Sequence, residues 1–249
     1  YFIIQLHRFQ PPTLHSVVEV FRYGKVTTVD TMRYLPETGN EKHKRARRFA
    51  KEGLIEKAAE LYRHLIRLTP DSFDCNLEYG ELLFKREKYS PARKYLHRAL
   101  KLDDRNFAAN IMMARTLFRL NKPEEALNYA QKAHSCQRSS AVENRGLKLL
   151  YRKIGSYYFA RNRWSDAIAL FNRADRERNN AEIQYQLALS YVKRGLRDAG
   201  VLRKTGALLG FSSALAGKSR KMAYQHLKRC IELNPLHRGA RDLKNDYFR

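Results

Sequence analysis

The sequence predicts an all-α protein, a right-handed superhelical solenoid of about five helix pairs, and three observations predict it. The chain matches itself at a period of 34 residues, the mark of a stacked array and not of a single bundle. Small residues return at fixed places in each unit. Gly, Asn and Pro fall where a helix pair needs its turn and its ends.

The units follow in order. Residues 1–38 match no repeat; Pro11-Pro12 separates the apolar start YFIIQL from a second apolar stretch with Val17, Val18, Val20 and Phe21, open to strand or helix, and the extension either caps the first repeat, the favoured reading, or reaches across to a neighbouring protein. Units 39–72, 73–106 and 107–140 abut without a gap. Each carries a small residue at its eighth position (Ala46, Gly80, Ala114) and Ala at its twentieth (Ala58, Ala92, Ala126). A large side chain at either place would hold two antiparallel helices apart. Tyr62, Leu96 and Phe171 are expected to fill the space between neighbouring pairs. Gly53, Asn121 and Gly195 fall at the turn inside a pair; Pro70 and Pro235 close helices, and Pro91 and Pro123 stand near helix starts.

A fourth unit fits 148–181 after an insertion, 141–147, with Tyr151, Gly155, Tyr158, Trp164, Ala167 and Phe171 as its markers. The fifth, 182–236, is split by an insertion at 196–220, and 237–249 reads as a capping helix from Ala240, Leu243 and Tyr247. These units resemble tetratricopeptide repeats, with their aromatic, Leu-Gly, Tyr, Ala, Phe, Ala and Pro at set offsets, over about four fifths of the chain. The closing Pro survives only as Pro70 and Pro235, with Asp104 and Arg138 in its place elsewhere.

Charge carries the compositional signal. With 49 Lys+Arg against 25 Asp+Glu, the net charge is +24, a field that favours polyanions. Hydrophobic content of 43% excludes a disordered polyelectrolyte. Cys75, Cys136 and Cys230 stand far apart without metal-ligand spacing and read as reduced thiols. No apolar run is long enough to span a bilayer, so no transmembrane segment is expected. The segment SSALAGKS, 212–219, imitates a phosphate loop, but Ser212 stands where its first Gly belongs and no strand–loop–helix unit surrounds it. No nucleophile–base, paired-carboxylate or metal constellation emerges. The expectation is therefore no catalytic role, cofactor, metal or small-molecule substrate.

The resemblance implies that first helices line a concave groove. Its outward positions are His43, Lys44, Arg47 and Lys51 in repeat one, and Asp74, Leu77, Glu78, Glu81 and Phe84 in repeat two. Repeat three offers Ile111, Met112, Arg115, Phe118 and Arg119; repeat four offers Arg152, Lys153, Ser156 and Phe159. An acidic middle suits a peptide better than phosphate. The carboxylate clamp of chaperone-binding relatives is not reproduced: its positions hold His43, Arg47, Glu78, Ala108 and Met112. RNA or partner contacts are expected from Arg45, Arg48, Arg161, Arg163, Arg203, Lys204, Lys218 and Arg220, with Arg173, Arg176 and Arg178 adding to the charge of repeat four. The functional expectation is a scaffold among protein subunits of a large ribonucleoprotein with RNA contact, most concretely a mitochondrial ribosome-like particle. The alternatives are a cytoplasmic location and a protein-only adaptor in a ciliary, transport or membrane-associated complex.

Overall fold

The structure, a computed structural model, describes residues 4–5, 17–22, 25–30, 38–136, 141–198 and 217–248, with side chains for 38–136, 145–198 and 217–248. It divides into two compact units, Tyr1–Leu68 and Thr69–Arg249.

In the first unit, β1 (Ile4–Gln5), β2 (Val17–Arg22) and β3 (Lys25–Asp30) form an antiparallel sheet in the order β1-β2-β3. β2 pairs with β3 from Val17 opposite Asp30 to Arg22 opposite Lys25. The Val-rich alternation of the extension thus becomes strand, the outcome that β-branched residues favour. α1 (Gly39–Lys51) and α2 (Ile55–Leu68) follow as a helix pair. Thr38 starts α1 with a reciprocal cap: its Oγ1 accepts from the Glu41 amide at 3.2 Å, and its own amide donates to Glu41 Oε2 at 2.9 Å. Ala46 and Ala58 are fully buried, and Tyr62 is buried with its ring edge-on to His43.

The second unit continues with α3 (Phe73–Lys85), α4 (Tyr89–Leu102), α5 (Phe107–Arg119), α6 (Pro123–Ser135), α7 (Ala141–Ala160), α8 (Trp164–Ala174), α9 (Ala181–Asp198), α10 (Lys218–Leu233) and α11 (Arg238–Tyr247). α3 packs on α4, α5 on α6, α7 on α8 and α9 on α10, and α4·α5, α6·α7 and α8·α9 contacts join successive pairs. The array is all-α, as the period predicts.

The same devices recur every 34 residues. Ser72 and Asn106 cap α3 and α5 through their side-chain oxygens. One helix turn above each cap, Asn76 and Asn110 are fully buried, and each amide donates twice to the preceding loop: Asn76 to the Pro70 and Ser72 carbonyls at 2.7 and 2.8 Å, Asn110 to those of Asp104 and Asn106 at 2.8 Å each. The turn inside the pair puts one residue in the left-handed region, Gly53 (φ 78°), Glu87 (φ 58°), Asn121 (φ 58°) and Asn162 (φ 62°).

The helices touch closely at the small residues. A Cβ on Gly80 would lie 2.8 Å from Leu96 Cγ and Cδ2, and one on Gly155 would lie 2.9 Å from Phe171 Cε1. Leu96 and Phe171 are fully buried there, each stabilising the array by roughly 2–3 kcal/mol.

One local expectation is extended and one is revised. The insertion 141–147 is helical and forms the start of α7, which lengthens the first helix of the fourth pair. Gly195 lies inside α9, which runs on to Asp198 with Leu196 buried, so the fifth pair lacks the glycine turn. Residues 199–216, most of the second insertion, lie outside the described residues.

Candidate functional site

The candidate site grows from the periodic placement of α3 and α5. Residues one or two helical turns apart share a face, so Glu81 and Phe84 of α3 come to face Met112, Arg115 and Arg119 of α5. With Lys85, Glu87 and Tyr89 from the turn into α4, they line a cleft of about 340 Å³.

Aromatic rings and guanidinium groups order this cleft. Phe84 and Tyr89 meet edge to face with centroids 5.4 Å apart. Arg115 lies over the Phe84 ring at 4.9 Å, with Nη1 3.5 Å from Met112 Sδ; Arg119 lies over the Tyr89 ring at 4.8 Å and pairs with Glu87 at 3.4 Å. Each stacked cation is held in one orientation while its outer N–H groups stay exposed. Glu81 is half-buried, and desolvation pushes its carboxyl above the usual range, with Glu78 adding to the rise and Lys85 and Arg115 opposing it. The cleft therefore combines an apolar wall, two presented guanidinium groups and a carboxylate short of solvation.

Five residues expected in the groove thus come together: Glu81, Phe84, Met112, Arg115 and Arg119. Glu78 stands half-buried one turn away on α3. Phe118 points instead to the next pair, edge-on to Tyr157 at 6.3 Å. Ile111 is buried in the array and not on the groove, because α5 packs against α3, α4, α6 and α7 and keeps only a narrow free stripe. Arg152 is half-buried and Lys153 exposed on α7. Lys44 and Arg47 are exposed on α1, in the other unit. Lys85, Glu87 and Tyr89 lie outside the expected groove positions and join the cleft from the end of α3 and the turn into α4. The turn recurrence that places Glu87 in register with Gly53 and Asn121 was the signal for the last two.

The array architecture has close structural counterparts. YrrB, described as a TPR protein with an unusual peptide-binding site, superposes with a TM-score of 0.60 at 18% identity, covering 86% of this chain and 96% of that one. The MamA protein superposes with a TM-score of 0.59 at 15% identity, over 86% and 98% of the two chains. The array has the tetratricopeptide-repeat fold. The sequence profile of anaphase-promoting complex, cyclosome, subunit 3 matches residues 51–133 of this repeat protein. The human protein O-mannosyl-transferase TMTC3 is 36% identical over 78 residues, which span 31% of this chain and 8% of that much longer protein.

The residues expected to contact RNA are placed unequally in this TPR array. Arg48 lies 3.6 Å from Glu52. Arg161 is stacked on Tyr157 at 3.6 Å. Arg163 is occupied by Asp166 at 2.7 Å and Glu124 at 3.3 Å, and lies over the Tyr158 ring at 4.3 Å. Arg45 is half-buried on α1; Lys218 opens α10, and Arg220 borders a shallow depression with Tyr224 and Phe248. Arg203 and Lys204 lie outside the described residues, as does most of the phosphate-loop look-alike.

Among the described residues, no group of three or more His, Cys, Asp or Glu is placed to hold a metal ion, and no helix is long and apolar enough to cross a membrane. Cys75 and Cys230 are buried and Cys136 is half-exposed, all as free thiols. Burial raises the Cys230 thiol to about 11, so it is unreactive at neutral pH.

Proposed function

We propose that this chain is a non-catalytic TPR scaffold that holds a short segment of a protein partner in the cleft between its second and third repeats. The observation that carries the reading is the juxtaposition of Phe84 and Tyr89 with the stacked Arg115 and Arg119. An apolar or aromatic side chain of the partner packs on the two rings. A carboxylate one or two residues away takes the outer N–H groups of Arg115, a charge-assisted contact. Arg119 is tied to Glu87, an exposed pair that costs little to exchange. The partner segment is thus acidic and aromatic or aliphatic by alternation, and internal to its chain, since Glu78, Ala108 and Met112 stand at positions where a carboxylate clamp needs donors.

The wider assembly we assign is a large ribonucleoprotein, in its most concrete form a mitochondrial ribosome-like particle. The net charge of +24 supports this version, because such a field raises the local concentration of phosphate polymers. Affinity purification of the tagged chain from its own cells, with and without ribonuclease, tests it. Ribosomal RNA and proteins lost on nuclease treatment support the ribonucleoprotein; a small nuclease-resistant protein set leaves the adaptor. Arg115→Glu tests the cleft itself: binding of the recovered partner segment falls by about tenfold or more, the equivalent of one charge-assisted contact, and unchanged binding rejects it.

A further inference from the structure

A second cleft, of about 710 Å³, lies away from the groove residues. It is bounded by His134 at the end of α6, Lys148 and Tyr151 of α7, Arg173 of α8, and the connection from α8 to α9 that carries Arg176 and Arg178. We propose that this cleft is an RNA site that holds the phosphodiester backbone on the second-helix side of the array. The proposal rests on the ribonucleoprotein reading and assigns it a place.

The backbone of the connection is tied down while its cationic heads stay exposed. Asp175 is buried beneath it: Oδ1 accepts from the Asn179 amide at 3.0 Å, and Oδ2 from the Asn180 amide at 3.1 Å and Gln184 Nε2 at 2.8 Å. The Arg178 amide donates to the Asp175 carbonyl at 3.1 Å, and the Arg178 carbonyl accepts from Arg229 Nε at 2.9 Å. Arg173, Arg176 and Arg178 are exposed, and no ion pair involves them among the described residues; Arg173 lies over the buried Tyr151 ring at 5.8 Å. Glu177, the exposed acid of the lining, is tied to Lys148 at 2.8 Å and Asn179 at 3.1 Å. The other acid, Asp175, is spent on the amides below.

What the cleft shows to solvent separates RNA from an acidic protein. Protein interfaces anchor on exposed aromatic and apolar side chains. Here Leu147 and Tyr151 are buried, with 3% and 2% of their surface exposed. The rim is guanidinium and ammonium, the surface that a phosphate polymer takes. A further cleft on α4 and α6, with Arg93, Lys94 and His97, lies on the same series of second helices. Two cationic clefts bordering α6 suit an extended polyanion and not a compact one.

The test is fluorescence anisotropy of the full chain with labelled single-stranded polyuridylate across a KCl series. Each phosphate contact on a single strand contributes about −0.7 to the slope of log K against log salt. The triple variant Arg173→Gln/Arg176→Gln/Arg178→Gln is expected to make the slope shallower by about 2 and to weaken binding by about tenfold or more near 100 mM KCl. The groove variant Arg115→Gln/Arg119→Gln, matched for fold by circular dichroism, is expected to leave the slope unchanged. A slope unmoved by the triple variant, or moved as much by the groove variant, overturns this site while leaving the ribonucleoprotein reading in place. No RNA binding at any salt overturns both. Displacement of the RNA by polyglutamate at equal charge concentration overturns the RNA assignment in favour of an acidic protein.

Discussion

The joint between repeats two and three and the joint between repeats four and five do one job with different chemistry. In the first, the neutral side chain of Asn110 reaches back from α5 and ties down the loop carbonyls of Asp104 and Asn106. In the second, the carboxylate of Asp175 binds the loop amides and Gln184, and Gln184 Oε1 lies 2.8 Å from His226 Nδ1 of α10. His226 is buried, stacked on Tyr191 with ring centroids 5.6 Å apart. A neutral amide makes a joint indifferent to pH; a carboxylate–amide–imidazole chain does not. The regular repeats spend identical residues every 34 positions, while the irregular end closes its lengthened pair with a buried polar chain of its own.

The largest effect is expected at Asp175. Asp175→Ala leaves the buried Gln184 amide and two partly buried backbone amides without an acceptor, for a loss of about 3 kcal/mol in urea denaturation. Asn110→Ala removes a side chain that donates twice and costs about 1–2 kcal/mol. Equal losses would erase the distinction between the joints.

The pH response comes next. Burial, helped by Arg178 and opposed by Asp175, lowers the His226 imidazole to about 4. The unfolded chain protonates this group near 6.5 and the folded chain does not, so its contribution is intact above about 6.5 and lost as pH falls toward 4. Between pH 7 and pH 5 this is about 2 kcal/mol. His226→Gln is less stable than the wild type at neutral pH, and the gap narrows by about that amount at pH 5; a constant gap would show that the imidazole does not titrate in the folding reaction.

Close approach of paired helices should cost similarly in the second and fourth repeats. Gly80→Ala presses on Leu96 and Gly155→Ala on Phe171, each for about 1–2 kcal/mol of destabilisation in thermal unfolding. A neutral result would mean that the helices can part without loss. The smallest effect has the opposite sign. Glu87 occupies a left-handed turn that Gly53 and Asn121 occupy without strain. Glu87→Asn is expected to stabilise by about 0.5–1 kcal/mol and to release Arg119 from its ion pair.

Much of this fold was legible because repetition multiplies weak signals. Ala58, Ala92 and Ala126 mean little singly and a great deal at equal spacing. The same recurrence places Glu81, Phe84 and Arg115 along one cleft. Ile111 was misread because an outward position on one helix is inward once α5 has four neighbours. Gly195 misled because an isolated glycine costs a helix only about 1 kcal/mol, which burial of Leu196 and Val192 outweighs. Asp175 and His226 were invisible, since nothing repeats them and the distance that joins them through Gln184 exists only after folding.

The central claim is that two faces of one array serve two kinds of partner, and site-directed photo-crosslinking in native extract tests it most directly. p-Benzoylphenylalanine placed at position 84, in the groove cleft, is predicted to label a protein segment that is the same with and without ribonuclease. Placed at position 176, on the cationic connection, it is predicted to label RNA. RNA on both probes, or the same protein segment on both, would contradict the account.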